Sequence, residues 1–186
     1  MPVPYLISFL ALAVSFYSLW TSRLKRGIVK MTRPPKIYLG PNGPGGPQKK
    51  VSVPMLLYCT AERGIYIQNM FVRLQRGESI QNFNLWQYED HGPARGAGVF
   101  VNKRGLGTDH HFLIPNDYSQ YEFLSGDYLL QVFVETVNMP PRKIFEQNLT
   151  IPNEQFQDMK RLNGGLYFHW SPGAQNYSCY VSAELP

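Results

Sequence analysis

The chain has 186 residues, with 18 Lys/Arg against 13 Asp/Glu and a formal charge of +5. The excess is local: residues 1–30 carry Arg23, Lys25, Arg26 and Lys30 and no acid, leaving 14 Lys/Arg against 13 Asp/Glu for everything after them. The bulk of the chain therefore lacks the basic stripe a nucleic-acid binder needs, and two cysteines without CxxC or Cys/His spacing exclude a disulfide scaffold and a zinc module.

Pro4 to Trp20 (PYLISFLALAVSFYSLW) has no charged residue and ends in the cations Arg23, Lys25, Arg26 and Lys30. A helix over residues 4–22 would reach roughly 28 Å, close to a bilayer's hydrocarbon core. Tyr5 and Trp20 stand near its ends, where amphipathic rings favour the headgroup level. A cleaved secretory signal would want cations before the apolar run and small residues after it, and neither is present. The expectation is a single transmembrane helix with a short N-terminus outside and a cytoplasmic domain behind it, because flanking Lys/Arg stay inside. Ser8, Ala11, Ser15 and Ser18 form a small-residue seam suited to pairing two such helices, although Ser and Ala are also simply common in short spans.

Residues 23–36 read as a basic, proline-stiffened neck, with Arg23, Lys25, Arg26, Lys30, Arg33 and Lys36 suited to an anionic membrane surface. Residues 37–186 read as one β domain. Lys36–Leu39 and Val51–Cys59 are strands separated by a Gly/Pro loop, and Pro54 suggests an edge or a bulge in the second. Gly64–Gln75 and Ser79–Tyr88 alternate apolar and polar residues on both sides of Arg76-Gly77-Glu78, the signature of a hairpin with one buried face. Short strands follow at Val99–Val101 and His111–Ile114. In Phe123–Val134, an apolar residue, a Gly corner and Asp-Tyr lead into a strand with Tyr128, Leu130, Val132 and Val134 on one face; this resembles a tyrosine corner. Arg142–Ile151 adds a strand. Asn153–Leu162 is a helix with Asn153 as cap, Glu154 at its positive end, Lys160-Arg161 at its negative end and Gly164 as its stop. Leu166–Trp170 and Tyr177–Val181 close the chain as a last hairpin. The fold class expected is mainly β: an antiparallel Ig-like β-sandwich of about 8–9 strands with one short helix, behind a transmembrane helix.

Candidate chemistry is sparse. Asp109-His110-His111 is the sharpest constellation, but neighbours in a strand point to opposite faces, so the two imidazoles cannot share one metal there. Arg95 and Arg104 are possible anion contacts beside it. His91 and His169 stand alone, and Gly92–Gly98 lacks the Lys-Ser/Thr of a phosphate loop. Trp86 and Tyr88 lie opposite Phe83 and Leu85 and either cover a second face of the sheet or contact a partner.

The strings NMFVRLQRGESIQNFNLWQYED, GTDHHFL and FLSGDYLLQVF, behind an apolar N-terminus, resemble a group of uncharacterised bacterial membrane-anchored proteins. That resemblance implies an inner-membrane setting and carries no activity, cofactor or catalytic residue. Two functions are expected. The first is a membrane-tethered, non-catalytic module for protein–protein interaction or assembly, with no cofactor and an unidentified protein partner. The alternative is a metal- or small-ligand-binding or hydrolytic domain using Asp109, His110 and His111.

Overall fold

A computed structural model describes residues 3–21, 27–43, 46, 48–89, 92–95, 98–115, 121–137 and 139–184; side chains are described for all of these except 87–89 and 92–95. In chain order the elements are α1 (Val3–Leu19), β1 (Val29–Met31), β2 (Lys36–Pro41), β3 (Lys49–Cys59), β4 (Ile65–Arg76), β5 (Ser79–Glu89), β6 (Gly92–Arg95), β7 (Val99–Val101), β8 (Leu106–Leu113), β9 (Gly126–Thr136), β10 (Met139–Ile151), α2 (Asn153–Leu162), β11 (Gly165–Ser171) and β12 (Asn176–Ser182).

The strands form one 12-stranded antiparallel sheet in the order β10-β9-β4-β5-β8-β3-β2-β11-β12, with β1 added to β3, β6 to β5 and β7 to β4. This corrects the expected Ig-like sandwich. A sandwich needs two separate sheets face to face, whereas here a single ladder runs from β10 to β12 and curls into a half-barrel around its own core. Two strands share a flank between shorter partners. One side of β4 is lined by β9, and the other is divided between β5 (Phe71–Arg76) and β7 (Ile65–Ile67). One side of β3 is lined by β8, and the other is divided between β2 (Lys49–Ser52) and β1 (Leu57–Cys59). At the β7 end the Cys59 N–H donates to the Asn102 carbonyl (3.0 Å), so β7 bridges β4 and β3 where β5 and β8 do so at the other end. The sheet thus narrows toward the β7 end, where β1 also comes against β10. Register shifts in β4 between Ile67 and Asn69, and in β10 between Met139 and Arg142 and between Lys143 and Phe145, add the local bend a curled sheet requires.

The pleat sorts side chains into two rows. On the concave face, Leu85, Phe112, Val51, Leu39, Leu166 and Val181 stand opposite one another across β5, β8, β3, β2, β11 and β12, and they belong to or pack on the core. One residue along, Trp86, His111, Ser52, Tyr38, Tyr167 and Tyr180 form the matching row on the outer face. The outer row is itself buried over β2 and β3, where Tyr38, Lys50 and Ser52 are nearly inaccessible. Gly165 is required there, because a Cβ would overlap the Tyr38 ring.

Several local expectations hold. The β4–β5 hairpin buries Met70, Val72 and Leu74 against Phe83 and Leu85, turning at Gly77 with φ +58°. The corner also forms: Tyr128 is buried, and its hydroxyl donates to the Leu124 carbonyl and accepts from the Leu124 N–H, both at 2.9 Å. The ends of α2 differ from expectation. Pro152, not Asn153, occupies the N-cap position and gives no side-chain cap. At the other end Asn163 takes the left-handed conformation (φ 48°), while the N–H groups of Asn163 and Gly164 donate to the Lys160 and Met159 carbonyls. That is a Schellman motif with asparagine in the glycine role.

The N-terminal region corrects the membrane reading. Among the described residues no helix is long and apolar enough to cross a membrane. α1 runs for 17 residues, about 26 Å against roughly 30 Å of hydrocarbon, and Ser8, Ser15 and Ser18 fall within it. The single-pass anchor, the inner-membrane placement and the cytoplasmic orientation that followed from it are therefore not supported. Arg23, Lys25 and Arg26 lie outside the described residues. The other cations of the expected neck are engaged with the sheet. Lys30 sits in β1 opposite Tyr58, the Arg33 guanidinium lies 3.8 Å from the Trp170 ring centroid, and Lys36 begins β2 opposite His169. The prolines are strapped down as well: Tyr177 donates its hydroxyl to the Pro34 carbonyl (2.7 Å) and Trp170 its N–H to Pro35 (3.0 Å).

Candidate functional site

β8 carries the Asp109-His110-His111 string between β3 and β5, and the pleat divides it. His110 points into the core opposite Val53, 6.5 Å from the Phe112 ring, whereas Asp109 and His111 stand on the outer face opposite Pro54 and Ser52. The Thr108 carbonyl accepts from His110 Nδ1 at 3.0 Å, which fixes the proton on that nitrogen and leaves Nε2 buried without a hydrogen-bond partner among the described residues. Burial pushes the His110 pKa down to about 4, the neighbouring His111 adding to that and Asp109 opposing it. His111 is also held below the usual imidazole range, first by burial and then by the Lys50 ammonium. Two neutral imidazoles on opposite faces cannot converge on one ion. No group of three His, Cys, Asp or Glu among the described residues is placed to hold a metal.

The remaining sequence candidates are scattered. Arg104 lies in a turn, where its N–H donates to Asn102 Oδ1 at 2.9 Å. The side chains of Arg95 and Tyr88 lie outside the described set, as does His91. His169 Nε2 and the Tyr180 hydroxyl are 3.0 Å apart on the β11–β12 pair. Trp86 is half-buried opposite His111. Burial raises the Cys179 thiol to about 12, so it is no nucleophile at neutral pH.

A site that sequence reading missed lies at the wide end of the sheet. A cleft of about 200 Å³ opens between the end of β2 (Gly40, Pro41), Gly46, the start of β3 (Lys49), Glu122-Phe123 and the last turn of α2 (Met159, Lys160, Asn163, Gly164). Its charged groups come from three separate segments, and core packing aims them. Phe123 stacks on Phe83, and Tyr121 meets both rings edge-on, which turns Glu122 between them outward. The Lys160 ammonium rides 4.6 Å above the Phe156 ring. Lys49 closes the β2–β3 ladder opposite Pro41, and its carbonyl accepts from the Ile114 N–H. No single stretch of sequence could have signalled this site, because its residues are more than 70 positions apart at the first step and more than 30 at the second.

The second unassigned feature is apolar. Every residue of α1 is solvent-exposed, and burial begins only beyond it, with the half-buried Thr21. Gly27, where the described chain resumes, sits tightly against Cys59 and Ala61 at the narrow end of the sheet. That same end exposes Tyr66, Phe100, Val137 and Met139.

No protein-family model, curated protein or solved structure matches the chain, so the resemblance to membrane-anchored bacterial proteins gains no support there and function is argued from the geometry alone.

Proposed function

We propose that the chain is a non-catalytic interaction module that docks a protein partner through α1. The observation that carries this reading is the exposure of α1. A helix of 17 residues with a diameter of about 10 Å presents roughly 800 Å² of lateral surface, apolar here apart from Ser8, Ser15, Ser18 and two tyrosine hydroxyls. Monomers rarely leave contiguous apolar patches beyond a few hundred Å² uncovered. Tyr66, Phe100, Val137 and Met139 are further exposed apolar residues, at the sheet end where Gly27 packs.

The test is site-specific photo-crosslinking of the full chain in cells of the source organism, with the photoreactive residue at Leu10 or, as reference, at the exposed Gln157 of α2. An adduct is expected from Leu10 and none from Gln157. Leu10→Lys with Val14→Lys, one helical turn apart, should abolish it while leaving the thermal midpoint of the β domain unchanged. Sedimentation of the purified chain then assigns the adduct to a second copy or to a different protein. Equal labelling from both positions, or none from Leu10, would sink the proposal.

A further inference from the structure

We infer that the cleft between β2, β3, the Glu122-Phe123 segment and the end of α2 binds a small zwitterion with an apolar body, a free aliphatic α-amino acid being the class that fits. This inference is independent of docking through α1. Lys49 and Lys160 line the cleft together with the carboxylate of Glu122, and none of the three takes part in an ion pair among the described residues. Charged side chains of both signs that line one cleft without pairing with one another suit a ligand that supplies both opposite charges. The ammoniums of Lys49 and Lys160 receive its carboxylate, and Glu122 receives its ammonium. Phe123 and Met159, which belong to or pack on the core, give the apolar side chain a hydrophobic floor. The volume of about 200 Å³ accommodates an aliphatic amino acid.

Neither obvious alternative fits as well. A phosphate-like dianion would meet Glu122 as a like charge, and an apolar ligand alone would cover three charged side chains without matching any of them. Asn163, which ends α2, also lines the cleft, and its amide can both donate and accept, which serves a ligand carrying both kinds of group.

The experiment is calorimetric titration of the full chain with L-leucine, and in parallel with 4-methylpentanoate, which lacks the ammonium, and 3-methylbutylamine, which lacks the carboxylate. Saturable binding of L-leucine is expected, with each single-charge analogue at least about tenfold weaker, the scale of one lost charge-assisted hydrogen bond. Glu122→Gln should weaken L-leucine about tenfold and leave 4-methylpentanoate unaffected. Lys160→Gln should do the converse, weakening the acid and sparing the amine. Both side chains are exposed, so the melting midpoints of the variants should match the parent. No saturable binding of L-leucine to the folded chain, or equal binding of leucine and 4-methylpentanoate, would overturn the inference.

Discussion

The Tyr128 hydroxyl serves both polar groups of a single residue, since it accepts from the Leu124 N–H and donates to the Leu124 carbonyl. Tyr128→Phe therefore removes two hydrogen bonds at one place and should cost about 1–3 kcal/mol. Leu130→Ala, two residues along on the same buried face, should cost about 2–5 kcal/mol by opening a cavity. Leu129→Ala, on the half-buried outer face, should cost less than either; chemical denaturation of the three variants checks the order. His110 gives a pH prediction with a definite sign. Its folded pKa of about 4 lies below the ordinary 6.5, so the unfolded chain takes up the proton first. The stabilisation is complete above about pH 6.5 and is lost as pH falls toward 4, on the order of 3 kcal/mol at full loss. Carboxylates titrate through the same window, so the measurement is a difference: His110→Leu should lose less stability than the parent between pH 7 and pH 4.5. That His110 and His111 face apart was legible from strand geometry. Which of them faces the core was not, because that depends on the pairing of β8 with β3.

At the scale of the element, Pro54 shows how a rule-breaking residue finds its place. It lacks an N–H, yet it sits in the middle of an 11-residue strand. β2 covers that flank as far as Ser52 and β1 begins at Leu57, so Pro54 falls in the interval where no ladder partner is present. The sequence signalled an edge; the structure supplies half of one. The cap of α2 is the other case. Gly164 looked like the terminator, but Asn163 adopts the left-handed angle, and Gly164 is needed because a Cβ would run into the Ser182 carbonyl. Asn163→Gly should be neutral or slightly stabilising. Asn163→Val should cost about 1–2 kcal/mol, because a β-branched side chain resists positive φ; thermal melts of the pair separate the two. The β4–β5 hairpin was legible because its alternation is local and its turn carries Gly77. β7 was legible as the apolar run Val99–Val101, whereas β1 and β6, with three and four residues, were not, since so short a run carries no period.

For the whole molecule, what escaped sequence reading is the path of the sheet. Local alternation says that a residue is buried, not which distant strand buries it, and all of β2 from Ile37 to Pro41 is buried only because the sheet is covered on both faces there. The choice between one curled ladder and two facing sheets rests on such non-local pairings, as does the cleft built from Lys49, Glu122 and Lys160. The pairing of β2 with β11 is the most telling, since it joins Leu39 to Leu166 across nearly the whole described domain. Leu39→Ala and Leu166→Ala should each cost about 2–5 kcal/mol. In a double-mutant cycle they should couple by about 0.5–3 kcal/mol, as residues in contact do; additivity within experimental error would mean that the register of β2 on β11 is wrong.

That pairing also imposes a schedule. β2 ends at Pro41 and its partner does not begin until Gly165, so at about 5–20 residues per second the ribosome delivers β11 roughly 6–25 s after β2. During that interval one flank of β2 remains an open template, and Tyr177 has not yet arrived to hold Pro34. The nascent chain therefore spends several seconds with an unsatisfied strand edge beside its most apolar segment, α1. That open edge is a vulnerability to aggregation that belongs to synthesis alone, added to the apolar surface of α1 that the finished protein still exposes.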